Sequence, residues 1–94
     1  SAPGQLSSHY APRGSIRLNS KTIKENEVHL GFGKVDSDLN LSKTENLIEA
    51  AANLFDFLHK LDKMGAEKIA VSPIPEEGIG IAINDRLRRA AAPR

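Results

Sequence analysis

Cysteine does not occur in these 94 residues. Its absence removes disulfides and thiolate metal sites, and it suits a reducing compartment, so a cytoplasmic location is expected. No apolar run approaches the ~18–20 residues of a membrane span, and no signal-peptide pattern opens the chain. Neither sign of charge dominates, since 13 Lys and Arg face 12 Asp and Glu for a formal net charge of +1. Such a balance gives no field that would hold a nucleic acid or an anionic membrane, and neither is expected as a partner. Repeats and low-complexity tracts are missing too. A chain of this length forms one domain at most, with an adequate but small core, burying roughly 60–68% of its unfolded surface. It opens on Ser1 rather than Met. That fits a processed product or a piece of a longer protein, with Ser1-Ala2 as a possible vector remnant.

What is present is organised around one long periodic stretch, Ser42–Gly65. Ser42 followed three residues later by Glu45 fits a capping box. Leu47, Ile48, Ala51, Leu54, Phe55, Leu58 and Leu61 recur at spacings of three and four and predict one apolar helix face. Ala50, Phe57 and Met64 widen the stripe, as contact with a broad surface requires. Lys60 and Lys63 suit the negative end of the helix dipole, and Gly65 is placed for a left-handed stop.

Residues 1–14 hold Pro3-Gly4, Ser7-Ser8, Pro12 and Gly14 and show no helical or alternating pattern. They read as a linker or arm, in which His9 and Tyr10 are two large hydrogen-bonding side chains among small ones. Ser15–Leu18 and Val28–Phe32 predict short strands, and Leu39 and Leu41 a brief third one. Residues 19–26 between the first two are polar and turn-like. Lys68–Ser72 is apolar without alternation, as for a strand covered on both faces, and Pro73 and Pro75 end it. Gly78–Ala91 predicts a second helix with Ile79, Ile83, Leu87 and Ala90 as its ridge, Ala82 and Arg86 alongside. The order strand, long helix, buried strand, helix predicts an α/β fold: a small Rossmann-like open, mainly parallel sheet with one long and one shorter helix. Residues 15–94 form that domain, and 1–14 the arm.

No candidate chemistry amounts to an active site. Gly31-Phe32-Gly33 follows a strand as a phosphate turn would, but a third glycine and a helix opening directly behind it are lacking. Asp36 and Asp38 have no further ligands at calcium-loop spacing, and His9, His29 and His59 have no partner at metal-ligand spacing. In each case the plain structural reading outweighs the functional one. The same holds for Arg86, Arg88, Arg89 and Arg94, a basic helix end. The stretch from Pro73 to Gly80 lies where a strand's carboxyl end meets a helix start, the usual ligand position of open α/β sheets. Pro73 and Pro75 stiffen it, and Gly78 and Gly80 allow close approach. It is a candidate ligand crevice, weighed against a rigid connector.

Two stretches converge on one family. Pro3-Gly4 followed by His9-Tyr10-Ala11-Pro12 resembles the linker of the two-domain form of L-threonylcarbamoyladenylate synthase. Ala50–Phe55, Leu61–Ala66, Pro73–Gly80 and Ala82–Ala91 resemble, as an ordered set, that family's C-terminal domain. Gln5 stands where the family pattern has Met after Pro-Gly, and residues 19–38 carry no motif.

The resemblance implies a parent enzyme that makes threonylcarbamoyl-AMP from L-threonine, bicarbonate and ATP, with magnesium, for N6-threonylcarbamoyladenosine at tRNA position 37. It also implies that catalysis belongs to an N-terminal domain absent from this chain, which leaves the chain inactive alone and without a cofactor of its own. Its expected partner is that catalytic domain, through which ATP and threonine act, with no direct nucleic-acid contact. The linker of the family covers the catalytic cavity, so His9, Tyr10 and Pro12 are the candidate covering residues, with Gly4 and Gly14 as hinges. Two other readings stay open, a nucleotide or amino-acid sensor at Pro73–Gly80 and a structural or dimerisation module.

Overall fold

The computed structural model of the protein describes residues 10–93. The elements are β1 (Ser15–Arg17), β2 (Val28–Gly31), β3 (Leu39–Asn40), α1 (Leu47–Lys63), β4 (Lys68–Val71) and α2 (Ile79–Ala91). Helix α1 begins later than the Ser42–Glu45 pair predicts, because Glu45 takes a left-handed φ of 62° that breaks any helical path from Ser42. The N-cap is Asn46, whose side-chain oxygen accepts the Glu49 backbone N–H at 3.0 Å. Asn46 and Glu49 thus hold the two positions of a capping box, and Ser42 is the relay between them. The Ser42 hydroxyl accepts the Asn46 N–H at 2.9 Å and donates to Glu49 Oε1 at 2.5 Å.

The far end of α1 is as predicted. Gly65 adopts φ 71°, its N–H bonds to the Asp62 carbonyl at 3.0 Å, and the Ala66 N–H bonds to the Leu61 carbonyl at 3.1 Å. That pair of bonds is a Schellman stop, which needs the left-handed residue glycine supplies without steric cost.

The buried face of α1 is narrower than its apolar pattern. Ala50, Leu54, Leu58 and Leu61 are buried, whereas Ile48, Phe55 and Met64 are 70%, 41% and 53% exposed, and Ala51 is exposed too. In α2 the buried ridge is Gly80, Ile83, Leu87 and Ala90. Ile79 is exposed and Gly80 takes the place predicted for it. Both shifts have one cause: each helix meets the sheet on one side and the other helix on its flank, and the rest of its surface faces solvent.

The four strands are all parallel, in the order β1-β4-β2-β3. Ile16, Ile69 and Val28 stand in one register row, and Val71, Leu30 and Leu39 in the next row on the same face. That face and the helices form the core with Leu41, Leu54, Leu58, Leu61, Ile83 and Leu87. Ile69, Ala70 and Val71 are each at most 1% exposed, which bears out the strand covered on both faces. The first forty residues hold three parallel strands with no helix between them. Segment 32–38, too short for a helical crossover, folds back over β2 instead. It crosses so closely that a Cβ on Gly31 would lie 2.6 Å from Ser37 Oγ.

The second sheet face is polar and covered by loops. Arg17 on β1 reaches into loop 18–27 and grips Glu27 through two bonds, Nε to Oε2 at 2.8 Å and an Nη2 bond to Oε1 at 2.7 Å. The Lys24 backbone N–H adds a third at 2.7 Å. These donors, the guanidinium first, lower the Glu27 pKa from its ordinary 4.5 to about 2. A carboxyl depressed on folding stabilises fully above its unfolded pKa, and that contribution is lost as pH falls through the folded value. Between pH 5 and 2, the urea midpoint of the natural chain is therefore expected to fall more steeply than that of Glu27→Gln. Parallel curves over that window would refute the grip. Among the described residues no helix is long and apolar enough to cross a membrane.

Candidate functional site

The arm does not stand apart from the domain at its root. Pro12 is fully buried and Tyr10 half-buried. On α1, Phe55, His59 and Asp62 follow at spacings of four and three and so share one line on its outer side. The Tyr10 ring lies on this line, stacked on His59 at 4.0 Å with an interplanar angle of 12°. It meets Phe55 edge-on at 6.2 Å, and Phe55 meets His59 in turn at 4.4 Å. The Tyr10 hydroxyl donates to Asp62 Oδ2 at 2.8 Å. Asp62 Oδ1 accepts the Arg13 backbone N–H at 3.2 Å and its Nε–H at 3.0 Å. The Tyr10 hydroxyl first, then Arg13, holds the Asp62 carboxyl below its usual range. From the other helix, Arg86 of α2 donates to the Tyr10 backbone carbonyl. Partial burial, then the charge of Arg89, lowers the Arg86 pKa.

Gly14 is no hinge in this arrangement. A Cβ there would lie 2.2 Å from the Ala66 carbonyl oxygen, and the next residue bonds to the sheet side, Ser15 N–H to Glu67 O at 3.0 Å. Backbone packed that closely cannot swing. His9, Gly4 and Arg94 lie outside the described residues. Beside the arm's root is an open hollow of about 360 Å³ lined by Arg13, Gly14, Asp62, Gly65, Ala66 and Glu67.

The stretch from Pro73 to Gly80 is at the strand-to-helix junction where the sequence puts it. Pro73, Pro75 and Gly78 are exposed and Gly80 is buried. A Cβ on Gly80 would lie 1.9 Å from the Pro75 carbonyl oxygen, so the two backbones are in contact with no space between them. Asn84 of α2 donates to the Ile74 carbonyl at 2.9 Å, and Arg88 reaches Glu76 at 3.7 Å. These contacts make a clamped connector. Arg89 pairs with Asp85 at 3.3 Å, so Arg86, Arg88 and Arg89 each have a partner within the domain.

One buried polar pair escapes the sequence. His29 of β2 and Ser72, just past β4, meet on the polar sheet face, Nε2 to Oγ at 2.7 Å. His29 Nδ1 lies 2.9 Å from the Asp36 carbonyl, an acceptor only, so Nδ1 carries the proton and Nε2 accepts from the Ser72 hydroxyl. Both residues are under 10% exposed. The pair pins loop 32–38 to the sheet, and Asp38 does the same by accepting the His29 backbone N–H at 2.8 Å. Nothing in the order of residues couples position 29 to position 72. Among the described residues no three of His, Asp or Glu converge as metal ligands.

Fold and seat together define a two-layer α/β domain with segment 10–14 fastened across its helices. The chain belongs to the threonylcarbamoyl-AMP synthase, C-terminal domain, family, whose profile matches residues 1–92. It is 29% identical over 110 residues to the threonylcarbamoyl-AMP synthase of Pyrococcus abyssi, covering 99% of this chain and 32% of that protein. It also resembles the crystal structure of P. abyssi Sua5 complexed with L-threonine, at TM-score 0.65 and 26% identity, over 89% of this chain and 30% of that one. The chain thus spans about a third of the length of these relatives. The expected family and the expected Rossmann-like parallel α/β fold are both borne out.

Proposed function

We propose that this chain is the accessory C-terminal domain and linker of an enzyme that makes threonylcarbamoyl-AMP from L-threonine, bicarbonate and ATP, with magnesium. The product would serve N6-threonylcarbamoyladenosine formation at position 37 of tRNA in the cytoplasm. Catalysis belongs in this reading to an N-terminal domain, the chain's partner and its only link to ATP and threonine, with no direct nucleic-acid contact. The chain alone is inactive. The observation that supports the reading best is the three-point hold on Tyr10: ring on His59, hydroxyl on Asp62, carbonyl on Arg86.

That hold gives the arm a mechanical role. Threonylcarbamoyl-AMP is a mixed anhydride that water destroys, so a segment that closes the cavity protects it. A closing segment works only if its base is fixed, since a loose strap loses more conformational freedom on closing. Tyr10 and Pro12 are read as the fixed base and His9 as the first residue of the covering part. The close packing of Pro75 on Gly80 speaks against a ligand sensor in that crevice.

Adding this chain to the separate catalytic domain is expected to change threonine-dependent pyrophosphate release, and Tyr10→Ala is expected to abolish the change. Unchanged release with the natural chain would overturn the proposal.

A further inference from the structure

His59 is the exception among the polar side chains of the seat. Its Nε2 is buried, yet no hydrogen-bond partner meets it among the described residues. Tyr10 covers the imidazole face at 4.0 Å, and Phe55 stands edge-on to it at 4.4 Å. Neither ring relieves the nitrogen: Phe55 has no polar group, and the Tyr10 hydroxyl is committed to Asp62 Oδ2. Asp62, three residues further along α1, is itself engaged by Tyr10 and by two donors of Arg13. Buried polar groups are nearly always paired, and an orphan disfavours the state that buries it, because water would have paired it. In either neutral tautomer Nε2 is a donor or an acceptor, so the loss does not depend on which ring nitrogen carries the proton.

We propose that His59 sets the seat of Tyr10 to release. Ring stacking, the Asp62 bond and the Arg86 bond hold Tyr10 down, and the orphaned nitrogen beneath it opposes them. The ring then exchanges between a seated majority and a released minority in which Nε2 is open to water. The exchange stops at Pro12, which is fully buried, and at Gly14, which is packed on the Ala66 carbonyl. One unpaired buried group shifts such a balance by about tenfold. Whatever takes up the released arm binds tighter by the same factor, since apparent affinity follows the population of the competent state. Phenylalanine at position 59 would stack on Tyr10 as well and orphan nothing, so the nitrogen is what separates a latch from a permanent joint. The latch belongs to this chain's own seat and stands or falls whatever the enzyme reading does.

The chain has one tyrosine and no tryptophan, so its intrinsic emission comes from Tyr10 alone. Stacking on an imidazole and a hydrogen bond to a carboxylate both shorten a phenol's excited-state lifetime. Time-resolved fluorescence of the 94-residue chain is therefore expected to show a short-lived seated component and a long-lived released one of ~0.1–10%. His59→Phe keeps a ring under Tyr10 and removes the nitrogen, and it is expected to cut the released fraction about tenfold. Arg86→Gln weakens the hold on the Tyr10 carbonyl and raises that fraction, which makes the same tenfold cut readable where the natural fraction is small. A released fraction that His59→Phe leaves unchanged in the Arg86→Gln chain overturns the proposal, because water then pairs Nε2 in solution. A raised fraction overturns it too, because the nitrogen then helps to hold the arm. Unfolding also returns Nε2 to water, so His59→Phe is expected to raise the urea midpoint of the otherwise natural chain, and a lowered midpoint refutes the latch independently.

Discussion

Gly80→Ala is expected to destabilise the domain by about 3 kcal/mol, the upper end of overpacking, and to lower its melting temperature by roughly 10 °C or more. The added carbon would stand 1.9 Å from the Pro75 carbonyl oxygen. That atom is backbone, held by Ile74, which is itself buried and bonded through its carbonyl to Asn84. No side chain can turn aside to make room, so either the start of α2 or the connector from β4 must move. Gly65→Ala is the control. A Cβ there meets nothing within 4 Å, and its cost is only the left-handed conformation, about 1–2 kcal/mol. Thermal unfolding of the two variants decides the matter. Equal losses would mean that Pro75 and Gly80 are not in contact in solution.

Tyr10→Ala carries the second large effect, a loss of about 2–3 kcal/mol from the half-buried ring that packs on His59 and Phe55. Tyr10→Phe keeps that packing and removes only the hydroxyl, so its loss is smaller. With the hydroxyl gone, Asp62 loses the strongest of its three donors, and its pKa is expected to rise toward the ordinary aspartate value. Carbon-13 titration of the Asp62 carboxyl would read that rise directly. Protease cleavage at Arg13, exposed beside the seat, separates anchor from ornament: it is expected to accelerate in Tyr10→Ala and to change little in Tyr10→Phe. An arm cleaved equally fast in all three proteins would show that the ring does not fasten it.

These two positions were not equally visible beforehand. Gly80 stands out in the sequence as a glycine at a strand-to-helix junction, which reads as room for a ligand. The structure fills that room with the Pro75 backbone. The residue type announces a close approach but does not say what approaches. Tyr10 stands out as a large polar ring in an arm of small residues, and its family resemblance speaks for a covering role. Its partners Phe55, His59 and Asp62 lie some fifty positions away, on a face where Phe55 reads as core. No local pattern links the two segments, since only the folded chain brings the arm across α1.

Helix α1 shows where the boundary falls. Its existence and its stop at Gly65 follow from spacing and from the backbone freedom of one residue, which are local properties. Its start does not: the spacing of Ser42 and Glu45 marks a capping box, and the left-handed turn at Glu45 moves the cap to Asn46. Which apolar residues are buried was also beyond local reading. Leu54 and Phe55 are equally apolar neighbours, yet the sheet covers one and not the other.

The order of residues was enough to establish an α/β body of two helices around a short buried strand, and the family it resembles. Short-range spacing and backbone preference act within a few residues and leave their mark in the chain. The parallel arrangement of three strands without helices between them, the His29–Ser72 pin and the seat of Tyr10 came from the assembled fold. Each depends on groups distant in sequence meeting at hydrogen-bonding or stacking range, and such meetings are chosen by the packing of the whole.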